Sequence, residues 1–223
     1  MKLIPIPERM AQLERDHRGY PVPFIVWRDS DGRPHFTIND ALKQQFALQA
    51  DLCGICGQGL LRGRWFIGGL ESAFDPRGAF ADGPVHEECG EYALQVCPYL
   101  AAPNYAKRIN GKTVAPAKRA KRILFNDPTM NPDRPSCFVA IHTRGHLVTE
   151  NGYLRPKRPY LGATIWSHGV CEARLSRSGW RRFRLLRLRE ARGCWFESDP
   201  GAQAFGSSKA MIGGCSPWWI RPL

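Results

Sequence analysis

Apolar and polar positions alternate in short blocks along this chain, and each block ends in a turn signal. Phe24–Arg28 is rich in β-formers and predicts a strand. Asp29–Gly32 predicts a turn, and His35–Ile38 the returning strand, so the segment reads as a hairpin. Asn39 or Asp40 then caps a helix running to Ala50, with Leu42, Phe46 and Gln49 spaced three to four residues apart. Arg64–Ile67 is strand-like and is broken by Gly68-Gly69. Residues 71–83 read as loop, with turn signals at Asp75-Pro76 and Asp82-Gly83. Val85–Val96 predicts a helix of about three turns, entered through Pro84 and closed by Pro98, with Glu87 and Glu88 at its positive end. A short helix is expected near Pro7–Arg15. Further along, Cys137–His142, His146–Thr149 and Gly162–Trp166 predict short strands of a small sheet.

Between and beyond these blocks the texture changes. Lys107–Arg122 carries seven Lys/Arg in 16 residues and no acid, and residues 126–136 hold three prolines. From Arg174 to Arg192 eight arginines crowd 19 residues, with Glu190 the only acid, and the interleaved leucines keep no helical period. The reading is therefore four parts. Residues 1–105 hold a β-hairpin, a helix and a cysteine-rich module; 106–136 are a basic, Pro-rich linker; 137–169 are a short β-rich part; 170–223 are an Arg-rich tail without a defined core. The fold class is α+β.

Charge sharpens that division. The 223 residues carry 32 Lys+Arg against 20 Asp+Glu, a formal net charge of +12. Residues 1–100 balance at −3 and residues 101–223 at +15. A basic half joined to a mildly acidic one attracts polyanions, of which nucleic acid is the commonest in a cytosol. Genome-wide arginine bias is the bland alternative, since Arg outnumbers Lys 24 to 8. No apolar run approaches the roughly 18 residues of a membrane span. The first 20 residues lack the apolar stretch of a secretory signal. A cytoplasmic location is the expectation.

One spacing carries specific chemistry. Cys53-x2-Cys56 is followed by His86-x2-Cys89. Zinc takes four tetrahedral thiolate and imidazole ligands, and a C-x2-C turn offers two sulfurs on one knuckle. Gly54 and Gly57 ease the backbone there. The second pair lies in the first turn of a predicted helix, one residue above the other on one face. Knuckle, hairpin and helix start describe a treble-clef-like module holding one structural zinc ion. A redox Cys53/Cys56 pair is the second reading, but it lacks the strand-then-helix context of such motifs. Cys97 lies eight residues beyond Cys89, roughly 12 Å along a helix axis, so it reads as a small buried hydrophobe. Cys137, Cys171, Cys194 and Cys215 show no pair spacing.

Four protein ligands leave a metal no open position for catalysis. A nuclease of the His-Asn-His type needs a histidine before the ligand-bearing helix, and none lies between Cys56 and His86. His17, His35, His142, His146 and His168 are isolated. No phosphate-binding or nucleophile-elbow motif is present. The expected role is thus a non-enzymatic, zinc-stabilised nucleic-acid binder. Its candidate contacts are Lys107, Arg108, Lys112, Lys118, Arg119, Lys121 and Arg122, with Arg155, Lys157 and Arg158 as a second patch. Tyr153 and Tyr160 flank that patch and could stack on bases. A module that docks on a host protein is the alternative; a zinc-dependent nuclease is a third.

Arg18–Phe24, Cys53–Gly57, Phe66–Gly69, Pro84–Cys89, Tyr92-Ala93 and Val96–Leu100 together resemble uncharacterised proteins encoded in bacteriophages and prophages. The resemblance covers roughly residues 18–105 and fades after Ile165–Gly169. It implies a phage or prophage origin and a zinc-binding core held by Cys53, Cys56, His86 and Cys89, and implies no established activity. Where the resemblance ends the arginine burst begins. Trp195–Ser198 is also what the T-loop of a transfer-RNA gene reads as when translated. The tail is accordingly expected to arise from a frameshift or from reading into a neighbouring gene.

Overall fold

The computed structural model describes residues 4–74, 78–101, 137–150 and 152–180. Most of residues 1–100 follow the local signals. Strands β1 (Val26–Arg28) and β2 (Pro34–Asn39) form an antiparallel hairpin. Helix α1 (Ala41–Gln49) is capped by the Asp40 side chain, which accepts from the backbone N–H of Leu42 and Lys43. Its orientation differs from what its apolar spacing suggests. Leu42 and Phe46 are each 54% exposed, whereas Gln44 and Ala47 face inward. Gln44 is held there because its Nε2 donates to the Ala81 carbonyl at 2.7 Å. Ahead of the hairpin, the expected helix near Pro7–Arg15 is only a 3₁₀ turn, Glu8–Met10.

Strand β3 (Arg64–Gly69) leads without a loop into α2 (Leu70–Phe74), five residues of helix where the sequence reads as loop. Helix α3 (Glu87–Val96) follows, and α4 (Pro98–Ala101) adds one turn. Beyond the undescribed stretch come β4 (Phe138–Thr143), β5 (His146–Val148), β6 (Leu154–Pro156), β7 (Gly162–Ser167) and β8 (Val170–Ser176). Strands β5 and β6 pair as a two-stranded ribbon inserted between β4 and β7. The class is α+β.

The main sheet is antiparallel in the order β3-β4-β7-β8. This pairing joins parts that the sequence reading kept separate. Arg64 stands opposite Thr143 and Gly69 opposite Phe138, so β3 of the cysteine-rich region is the edge strand of a sheet completed by residues 138–176. The division at 105 and 137 therefore runs through one sheet. Past residue 169 the sheet continues, since Val170–Ser176 is the strand β8 and Trp180 is buried against Tyr160 and Phe74.

Both sheet faces are covered. Trp65, Phe138, Ala140 and Trp166 point to one side, where Tyr92 and Leu94 of α3, Val85 and the metal-site cysteines pack. Phe66, Val139, Ile141 and Ala163 point to the other, against Phe80, Leu154, Tyr160 and Trp180. A central strand buried on both faces needs apolar residues at successive positions, which accounts for the unbroken run Phe138–Ile141.

Candidate metal centre

The first ligand pair sits on a tight backbone knuckle. The Cys53 N–H donates to the Gln58 carbonyl at 2.8 Å, and the Gly57 N–H returns to the Cys53 carbonyl at 2.9 Å. Gly57 has φ +73°, and a Cβ there would lie 3.0 Å from the Phe24 ring, so this position requires glycine for conformation and for space. Gly54 is different: its φ is ordinary, and a Cβ would meet Ile25 at 3.2 Å. Two backbone bonds tie the knuckle to the chain before the hairpin, Phe24 N–H to Ile55 and Ile25 N–H to Gly54. A third, Gly54 N–H to the Pro84 carbonyl, ties it to the second ligand pair.

That second pair is positioned by β3. Trp65 and Val85 exchange both backbone hydrogen bonds at 2.9 Å, which delivers His86 to the N-cap of α3 and Cys89 to its first turn. The four donor atoms of Cys53, Cys56, His86 and Cys89 lie within 4.8 Å of one another, and all four residues are buried. Tetrahedral Zn–S bonds of about 2.3 Å would place sulfurs roughly 3.8 Å apart, so the cluster has the dimensions of a coordination sphere. These residues can hold a metal ion.

The surroundings select the donor atoms. His86 Nε2 lies 3.0 Å from the Gly59 carbonyl, and Nδ1 lies 3.3 Å from Cys56 Sγ. Donation from Nε2–H leaves the Nδ1 lone pair facing the sulfurs, the outer-shell bond that orients a ligating imidazole. The His86 backbone N–H donates to Cys53 Sγ at 3.4 Å. Hydrogen bonds from the Cys56 and Cys89 thiols pull the Cys53 pKa down to about 2. The same Cys53 sulfur pushes Cys56 up to about 11, and Cys53 and Cys56 raise Cys89 further. Without a cation, then, the three sulfurs oppose ionising together. A bound cation supplies the missing positive charge and displaces the remaining thiol protons.

An N-terminal strap closes the site. Arg9 pairs with Glu88 of the ligand-bearing helix at 2.6 Å and reaches Gln58 of the knuckle at 3.3 Å. Met10 is buried on the cysteine cluster, with Ile4, Ile6 and Leu13 packed beside it. No periodic pattern marks this cover, because its apolar residues are scattered through a polar arm.

The remaining predicted residues fall elsewhere. Cys97 is half-buried at the C-cap of α3, Cys137 is buried and Cys171 half-buried; none joins the cluster. His142 stacks on Trp65 with ring centroids 4.7 Å apart, and His146 meets the Phe66 ring at 5.6 Å. Burial lowers the pKa of both. Arg155, Lys157 and Arg158 are exposed on β6 and the segment after it. Tyr153 and Tyr160 are buried, Tyr160 against Trp180, so neither presents a face on which a base could stack. Lys107, Arg108, Lys112, Lys118, Arg119, Lys121 and Arg122 lie outside the described residues, as do Cys194, Cys215 and the tail from 181 onward. No described helix is long and apolar enough to cross a membrane.

Compared with family models, curated proteins and solved structures, the chain matches none.

Proposed function

We propose that this chain is a non-enzymatic, zinc-stabilised protein that binds nucleic acid through its basic C-terminal half. The observation that carries the metal part is the closed Cys53–Cys56–His86–Cys89 cluster. Three thiolates and one imidazole suit zinc, and four protein ligands leave no coordination position for a reacting water. Knuckle, strand and helix start form a treble-clef-like unit in which the ion is a fold-organising part. The resemblance to phage and prophage proteins fits this reading and suggests action in a bacterial host cytoplasm.

Support for the polyanion part is the exposed run Arg155, Lys157 and Arg158, set beside a sequence half of net charge +15. Such contacts act on phosphates and carry little sequence information. Fluorescence anisotropy of labelled DNA and RNA, at increasing salt, tests it. Affinity that falls steeply with salt is the expected result. No binding at low salt, or binding that salt leaves unchanged, would remove the nucleic-acid reading. One observation favours a protein partner instead: Leu147 and Val148 on the β5–β6 ribbon are 55% and 59% exposed beside Arg155. Salt-insensitive capture of a host protein, lost in Leu147→Ser/Val148→Ser, would favour that alternative.

A further inference from the structure

Most described arginines are already engaged. Arg9 pairs with Glu88, Arg18 with Asp16, Arg28 with Glu14, and Arg64 with Asp51. Arg174 pairs with Glu87 and Glu91. Among the described residues, six cations have a head group in no hydrogen bond or ion pair: Arg15, Arg33, Arg62, Arg144, Lys157 and Arg177. Arg15, Arg33 and Arg177 stand one each on the N-terminal arm, the β1–β2 turn and the end of β8. The other three stand at one end of the four-stranded sheet.

Strand register brings their backbones to one end of the sheet. Arg64 stands opposite Thr143, which brings Arg62, just before β3, to the end of β4 where Arg144 begins the turn into β5. A Cβ at Gly63 would overlap His142 Nε2 at 2.3 Å, so the backbone at 62–64 lies directly against β4. Lys157 is locked to the same turn. Its N–H donates to the Gly145 carbonyl at 2.7 Å, and its own carbonyl accepts from Thr143 Oγ1 at 2.6 Å. All three side chains are exposed. The Asp51 carboxylate is held by both terminal nitrogens of Arg64 at 2.7 and 3.0 Å. Nearby His146 has its pKa lowered first by burial, then by the charges of Arg64 and Lys157 against that of Asp51.

We infer that this end of the sheet, built by Arg62, Arg144 and Lys157, is the seat of the phosphodiester backbone. The inference rests on the nucleic-acid reading above and assigns it a place on rigid strands, contiguous with the exposed Arg155 and Arg158. It also adds two residues, Arg62 and Arg144, from outside the segments that sequence charge singled out. Three exposed cations at one end of the sheet, none of them in a described ion pair, suit a chain of phosphates better than a single small anion.

The test uses the full chain with its metal and a fluorescein-labelled duplex DNA, with a duplex RNA and a single strand of the same sequence as parallel probes. Arg62→Gln/Arg144→Gln/Lys157→Gln is compared with wild type for affinity and for the slope of log affinity against log salt. Each lost contact on duplex DNA reduces that slope by about 0.9, so the triple variant is expected to flatten it by roughly 2.7. Arg62→Lys/Arg144→Lys is expected to retain the slope, since phosphate contact needs charge more than guanidinium geometry. Metal content and thermal midpoint of every variant serve as folding controls. Wild-type binding with an unchanged slope in the folded triple variant would overturn the placement while leaving the broader reading intact. Absence of wild-type binding to every probe would overturn both.

Discussion

Cys89 is fully buried within the donor cluster, so its loss leaves three ligands and no polar route for water to repair the sphere. Cys89→Ser is expected to abolish stoichiometric metal binding and cooperative unfolding together, since a structural zinc site supplies folding free energy directly. His86→Cys is expected to keep the metal, because four thiolates close a site equally well. It should still lower stability by about 1 kcal/mol through loss of the hydrogen bond to the Gly59 carbonyl. Metal analysis beside a denaturant titration distinguishes the two variants. Asp16 offers a separate test by pH. Burial raises its pKa, but the Arg18 guanidinium and the backbone N–H groups of Tyr20 and Arg18 outweigh that and hold the carboxyl below its usual range. A depressed carboxylate stabilises the fold above the unfolded-state pKa and loses that effect as pH falls through the folded value. Asp16→Asn should therefore be the less stable form at neutral pH. The gap should close as pH drops below about 4, read from denaturant midpoints at each pH.

At the scale of elements, the parts legible in the sequence are those with local physical causes. The Asp29–Gly32 turn fixes the hairpin, Asp40 starts α1, and the C-x2-C spacing marks the knuckle. Each is decided within a few residues. Asp40→Ala should thus cost about 1 kcal/mol, visible as a lower unfolding midpoint with metal content unchanged. Gly57→Ala is a stronger perturbation, because it meets both a left-handed backbone and the Phe24 ring. It should weaken metal retention against a chelator while leaving the four ligands in place. Elements decided by tertiary contact were not legible. Helix α2 is too short to show a period and follows two glycines. Strand β8 hides in an arginine-rich stretch, where only Ala173 is buried and Arg174 reaches out to α3. Helix α1 was placed correctly but its face was not, since Gln44 is drawn inward by a carbonyl and Phe46 is left near Phe24 at the surface.

Over the whole molecule, the metal cluster and the sheet are one cooperative arrangement. Trp65 bonds to Val85 beside the ligands on one side of the chain and stands opposite His142 of β4 in the sheet. Sequence separation concealed this, because pairing between β3 and β4 leaves no local signature. A chain ending at residue 105 would leave β3 without its partner strand and expose Phe66. Such a fragment is expected to show poor amide dispersion in NMR even with metal supplied, whereas the full chain should be well dispersed. The tyrosines make the same point: Tyr153 and Tyr160 read as base-stacking candidates by proximity to charge, but Tyr153 is buried and the second hydrophobic face claims Tyr160. The central claim remains the ion. Native mass spectrometry of the full chain, purified reduced and without chelator, tests it most directly. One zinc per chain is expected, released with loss of cooperative unfolding in Cys53→Ser/Cys89→Ser. Metal-free protein that unfolds cooperatively, unchanged by that double substitution, would contradict it.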